Sequence, residues 1–377
     1  MTYLLLNRIK VQNANAIAGF TWGFPAITHF LGFTHAIERK LASQDSLVDI
    51  TLQGCGVISH QQETHTFGQY DKSFSQHRYQ PYLQDSNNKS ASPPIIEEGK
   101  MNMTISLVIG IKGNVGHRKE SFIHFIESCA LTQKLAGGLI LEIGEISLLT
   151  EPKDIKRKLM PGFVLIERPN YLSEHYENLQ DNNPEADFLQ AWLDFSALKQ
   201  AARPNHDLIS KYIEQTKDEA LQDAWQSHLK VKPYSPTTIP QALVQHFEKI
   251  AEDKKLKKLL AQWKDYLQPS EKSPAQWEVL PKPAPGFLVP LMTGYKAISK
   301  VYENHEVANT RDHETPVCFV EAVHSIGEWR SPHKIESLES ILWHYNYENP
   351  WYLCKQELPF IEPSDSNDEE DDNDIFL

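Results

Sequence analysis

Apolar and polar positions alternate from the first residues of the chain. Over 3–12 the pattern predicts a strand, with Tyr3, Leu5, Ile9 and Val11 on one face and Arg8, Lys10 and Gln12 on the other. After a loop at 13–19 and the turn-rich Trp22-Gly23-Phe24-Pro25, residues Ile27, Phe30, Leu31, Thr34, Ile37 and Leu41 recur at helical spacing. Pro25 is placed to start that helix. Residues 49–58 and 62–70 read as a pair of strands. The polar stretch 71–100, with Asp85-Ser-Asn-Asn-Lys-Ser and Pro93-Pro94, reads as a long loop. A strand at 103–112, a helix at 120–134 and a strand at 139–148 follow.

The front of the chain thus runs β-α-β, then β-α-β, which is the split pattern of a ferredoxin-like (RNA-recognition-motif-like) domain. Such domains carry RNA on the open face of the sheet. The period changes after residue 171. Helical stripes pass through Phe188, Leu189, Trp192 and Phe195, then Leu208 to Leu229 around Trp225, then Leu243 to Leu267 around Trp263. Strands resume at 287–291 and 317–323, with a helix expected at 334–344. The expected class is α+β: a ferredoxin-like domain at 1–170, an inserted helical subdomain at 171–283, a returning segment of strands and helix at 284–362, and a disordered acidic tail at 363–377. Trp192, Trp225 and Trp263 fit the buried stripes of their helices, although an inserted subdomain also offers a docking surface.

Composition narrows the class. The 377 residues are 40% hydrophobic, 10% aromatic and 23% charged, enough for a real core. No window approaches 18 consecutive apolar residues, and the N-terminal Leu4-Leu5-Leu6 run is too short for a signal peptide. Cys55, Cys129, Cys318 and Cys354 form no Cys-x-x-Cys, which predicts a reducing, cytoplasmic setting and no zinc ribbon. Net charge is −13, yet residues 1–170 hold 17 basic and 15 acidic side chains, so the acidity is concentrated behind them. A negative total does not exclude a nucleic-acid partner.

Phosphate-loop and nucleophile-elbow motifs are absent, and none of the sixteen histidines has ligand spacing, so no cofactor or metal is expected. The turn Gly113-Asn-Val-Gly116-His-Arg-Lys119 suits a phosphate, through Arg118 above all, or is an ordinary solvated turn. The segment 13–25 carries more chemistry. Asn13 and Asn15 offer amides able to read base edges, and Trp22 and Phe24 offer stacking surfaces beside Arg8 and Lys10.

That segment, continued through Ala26-Ile-Thr-His-Phe-Leu-Gly-Phe-Thr-His-Ala-Ile-Glu-Arg39, resembles the N-terminal signature of the second Csy protein family. These are 5′-handle subunits, of the RAMP superfamily, in type I-F CRISPR surveillance complexes. Gly286-Phe-Leu-Val-Pro-Leu-Met-Thr-Gly-Tyr-Lys296, Glu321-Ala-Val-His-Ser-Ile-Gly-Glu-Trp-Arg-Ser-Pro-His333 and Trp343-His-Tyr345 extend the resemblance across most of 3–355. It implies a non-catalytic scaffold for antiviral defence. Such a subunit clamps the crRNA 5′ handle, pairs with the large subunit beside the backbone subunits, and supports guided binding of target double-stranded DNA. On this reading the RNA-contacting residues are Arg8, Lys10, Gln12, Asn13, Asn15, Trp22, Phe24 and Arg118, with Arg330, His333 and Lys334 closing over the RNA from a helix start. Arg330 paired with Glu328 or Glu336 is the plainer alternative. The rival reading is a metal-independent endoribonuclease that processes repeat RNA, using His29, His35 and His117 with Lys10.

Overall fold

The computed structural model describes residues 2–68, 73–78, 83–84, 90–91, 95–230, 239–310, 312 and 314–356; the tail expected at 363–377 lies outside them. The described residues fall into two compact units, one up to Phe188 and again from Pro285, the other Leu189–Ala284. No helix among them is long and apolar enough to cross a membrane. The architecture is mixed α+β, built on a large antiparallel sheet.

In the first unit the elements are β1 (Thr2–Asn15), α1 (Ile27–Ala42), β2 (Thr51–Thr64), β3 (Lys100–Lys112), α2 (Lys119–Leu131), β4 (Gly138–Leu149), α3 (Pro152–Lys158), β5 (Phe163–Glu167) and α4 (Pro169–Asn182). After the second unit come β6 (Phe287–Ala297), β7 (Val320–Arg330), β8 (Trp343–Glu348) and β9 (Trp351–Gln356). The strands lie in the order β4-β1-β3-β2-β5-β7-β6-β9-β8. β8 then returns to β2 through the pair Trp343 and Cys55, so β2, β5, β7, β6, β9 and β8 form a closed circuit of pairings.

One core lies between the sheet and the helices. Phe30, Ile37 and Leu41 of α1 and Phe122 and Ile126 of α2 pack there on Leu4, Leu6, Ile9 and Val11 of β1 and on the odd positions of β3. A second core covers part of the opposite face, where Ile155 of α3, Leu159 just after it, and Ile335, Leu338 and Ile341 pack on Tyr3, Leu5, Ile58 and Val108. Tyr3 and Leu5 therefore do not share a face with Ile9 and Val11, as simple alternation predicts. The register of β1 against β3 slips between Leu6 and Ile9, where Arg8 takes φ +54°, and the extra residue reverses the side-chain parity.

Other expectations also change. Residues 49–58 and 62–70 are not a pair of separate strands: β2 runs unbroken through Ser59-His60-Gln61 with a bulge. The 71–100 stretch is not a plain loop, because Ser73–Arg78 pairs with Ile95–Glu98. The helix expected at 334–344 is two 3-10 turns, Pro332–Lys334 and Glu339–Ile341; Ile335 and Leu338, which flank them, and Ile341 fill the second core at three-residue spacing before β8 begins.

Where β5 meets β9, Glu167 is buried. Its N–H donates to Gln356 Oε1 (2.8 Å), and its carboxylate accepts the Gln356 N–H (3.2 Å). The Gln356 amide donates onward to the carbonyls of Leu165 and Ile341. Burial raises the Glu167 carboxyl to about 7, against the pull of the Gln356 N–H and Lys355.

The second unit packs helices Asp207–Gln215, Glu219–Lys230, Gln241–Lys249 and Lys257–Leu267 around a core of its own, with the ribbon Gln200–Pro204 paired to Ala275–Val279. Trp192, Trp225 and Trp263 are all buried.

Candidate nucleic-acid interface

The segment 13–25 is organised by its own backbone. Ile17–Ala18 pairs with Thr21–Trp22 as a tight hairpin, and Thr21 Oγ1 donates to the Ala18 carbonyl (2.7 Å). The Asn15 amide is consumed locally, donating to Ile17 O (2.8 Å) and accepting Ile17 N–H (3.1 Å). Asn13 is exposed at φ +56°. Its N–H donates to Asn102 Oδ1 (3.2 Å), and its own amide has no partner among the described residues.

Neither aromatic expected to stack is free to do so. Phe24 is buried between Phe30 (ring centroids 5.5 Å apart) and the edge of Trp329 (4.9 Å). Trp22 is half-buried, packed on the first core and edge-on to Phe74. The residue that pattern reasoning passed over is Phe20, which is 85% exposed at the hairpin tip. Its ring lies on His324 of β7, with centroids 5.3 Å apart and planes 23° apart, and its N–H donates to His324 Nε2 (3.1 Å). Burial holds His324 below the usual histidine range, so the ring stays neutral and able to accept. Gly19 is needed beside it: its φ is +59°, and a Cβ there would sit 2.4 Å from His324 Nε2. The usable signal was Gly19 itself, since the residue after a hairpin glycine sits at the tip whatever the alternation around it.

The predicted basic face is only partly assembled. Lys10 and Gln12 are exposed together on the uncovered end of the sheet, around a shallow hollow of about 200 Å³ shared with Gln61, Asn102 and Thr104. Lys10 is paired with Glu142 (2.8 Å), and Glu63 lines the same hollow, so that surface is not basic. Arg8 lies at the bulge instead, its N–H on Ser106 Oγ (2.9 Å) and its guanidinium on Met160 O (3.2 Å). Arg118 is spent on Asp49, through two bonds of 2.6 and 2.8 Å, and on the carbonyls of Ser46 and Asn114. The same pairing holds the Asp49 carboxyl below its usual range. The turn at 113–119 is therefore fastened to residues 46–49.

Arg330 ends β7 opposite Val164 with no side-chain partner among the described residues, because Glu328 is bound by Arg168 instead (2.6 Å). His333 is exposed, its Nδ1 2.8 Å from Ser331 Oγ, and Lys334 is exposed in the same 3-10 turn, so no helix start gathers these residues. Six residues of extended chain separate His324, beneath Phe20, from Arg330, about 20 Å along β7. The endoribonuclease candidates are not brought together either. His29 and His35 lie on α1 and His117 lies beside α2, on the helical side of the sheet, whereas Lys10 faces the other way. Among the described residues no cluster of three or more metal-binding side chains occurs.

The sequence was compared with known families. Residues 4–234 and 234–354 match the family described as CRISPR-associated protein (Cas_Csy2). The chain is also 30% identical, over 385 residues, to the CRISPR-associated protein Csy2 of Pseudomonas aeruginosa (strain UCBPP-PA14), covering 95% of this chain and 96% of that protein.

Proposed function

This chain belongs to the Csy2 family of CRISPR-associated proteins, and on that premise we propose that it is a non-catalytic subunit of a type I-F Csy complex that grips the 5′ handle of the crRNA. It works in the cytoplasm, pairs with the large subunit next to the backbone subunits, and supports guided binding of foreign double-stranded DNA. Its front half is a ferredoxin-like domain of the RNA-recognition type. The strand order β4-β1-β3-β2 with α1 and α2 on one face supports that reading.

The observation that carries the RNA role is the Phe20 platform. A phenyl ring held by stacking and by a backbone hydrogen bond, yet open to solvent, is preorganised for one flat aromatic partner. Every base presents such a face. Exposed Asn13 and Gln12, on β1, add amides for base edges, and Arg330, farther along β7, adds a guanidinium without a side-chain partner among the described residues for a phosphate.

Binding of the full chain to crRNA with and without its 5′ handle tests the proposal. Equal affinity for the two guides, or cleavage of repeat RNA in EDTA, would sink it. Phe20→Ala is expected to lose about 1–3 kcal/mol of handle affinity with its salt dependence unchanged, because stacking releases no counterions. Phe20→Trp is expected to retain binding. Arg330→Ala is expected to act oppositely, lowering the salt slope by about 0.7, the share of one single-strand phosphate contact.

A further inference from the structure

The second unit carries a concentration of charge that the RNA reading does not use. Lys254, Lys255, Lys257, Lys258 and Lys264 lie within eleven positions that hold no acidic residue, in a chain whose net charge is −13. All five are exposed, and none of their side chains has a hydrogen bond or ion pair among the described residues. The chain pairs lysines elsewhere, as Lys10 with Glu142 and Lys199 with Asp194 show. The adjacent Asp253 forms no ion pair with them among the described residues; its carboxylate caps the 3-10 turn by accepting the Lys255 N–H (2.9 Å).

The arrangement works against local stability. Helix Lys257–Leu267 has no acidic side chain in its first turn, where the helix dipole favours one, and it places Lys257 and Lys258 there instead. Lys254 adds like charge one turn before Lys257 and Lys258. The helix is nevertheless rigidly seated. Leu259, Trp263 and Tyr266 are buried, with the Trp263 ring stacked 4.1 Å from Phe247 and 6.2 Å from Tyr266. The buried stripe fixes which way the rest points: Lys257, Ala261 and Lys264 form one outward row at i, i+4, i+7, with the small Ala261 allowing close approach.

From this we infer that the Lys254–Lys264 surface is a second nucleic-acid site, which grips the phosphodiester backbone without reading sequence. Two features choose this ligand. The apolar face of the helix is already in the core, so it cannot insert into a lipid surface. The cluster has no arginine, and its one amide, Gln262, is half-buried with its oxygen already accepting the N–H groups of Leu208 and Ile209. Lysines alone act as mobile point charges on phosphates. Lys257 to Lys264 spans about 10 Å of helix, which matches about three phosphates of one strand.

The test compares two full-length variants of equal charge. One is Lys254→Gln, Lys257→Gln, Lys258→Gln; the other is Lys217→Gln, Lys230→Gln, Lys272→Gln, removing exposed lysines elsewhere in the unit. The probes are a duplex DNA and a single-stranded RNA of unrelated sequence, neither containing a handle, titrated across salt. For the first variant the slope of log affinity against log salt is expected to fall by about two to three on the duplex, or about two on the single strand. The arm with the loss identifies the bound form. The melting temperature is expected to hold or rise, since repulsion is relieved. Equal losses in the two variants, an unchanged slope on both probes in a folded first variant, or no binding of either probe by the native chain would overturn the inference. Because no probe carries a handle, the result stands apart from the Phe20 test.

Discussion

Trp343→Ala should remove about 3–5 kcal/mol from the stability of the first unit, the range for deleting a fully buried large aromatic. Trp343 is 0% exposed, the largest completely enclosed side chain among the described residues, and packs in the first core. Its backbone also makes the one pairing, with Cys55, that brings β8 back to β2. Truncation leaves a cavity where neither strand can relax inward without breaking that pair. Trp343→Phe should be far milder, because the indole Nε1 is buried with no hydrogen-bond partner among the described residues, so its loss orphans none of them. Amide hydrogen exchange in β8 and β9 is the suitable readout, since it reports on the first unit apart from the second, which has its own core. A loss below about 1 kcal/mol for the alanine variant would show that closure of the circuit contributes little.

Glu167 should make the first unit less stable as pH rises. Its carboxyl is raised to about 7 by burial, against an ordinary value of 4.5 in the unfolded chain. Between those values the folded protein holds a proton that the unfolded chain has released. The group's stabilising effect is therefore complete below 4.5 and is lost as pH climbs through 7, a swing on the order of 3 kcal/mol. Glu167→Gln keeps a carbonyl to accept the Gln356 N–H and removes the titration. Stability measured from pH 5 to pH 8 should fall for the native chain relative to this variant, with the variant the more stable at pH 8. Parallel curves would mean that the carboxyl is not desolvated in solution. The neighbouring Cys354 thiol, pushed up to about 12 first by burial and then by Glu167, stays protonated throughout.

How far the sequence could be read follows from the range of each signal. The helix 27–42 was legible because its burial repeats every few residues in the chain itself, and the strand 103–112 because it is a short apolar run, buried without a break from Ile105 to Ile111. The three buried tryptophans were legible for the same reason. The bulge at Arg8 was not, since positive φ at a non-glycine residue leaves no compositional mark. Arg118 looked like a phosphate ligand because its partner, Asp49, lies 69 residues away. Trp22 and Phe24 looked like stacking residues because aromatic type says nothing of depth, while Phe20 gained its role from His324, 304 residues away. The candidate segment was found, but the side chain that presents a face to solvent was misassigned within it.

The return of β8 to β2 also sets an order of events during synthesis. Cys55 and Trp343 are about 290 positions apart, so the ring of strands is among the most non-local pairings the chain can make. A nascent chain completes all of Leu189–Ala284, with its own core, before β6 to β9 leave the ribosome. During that interval β5 lacks β7, and the Trp343 seat beside β2 is empty. Until β6 to β9 are made, the growing subunit carries unpaired strand edges, which are templates for pairing with other chains.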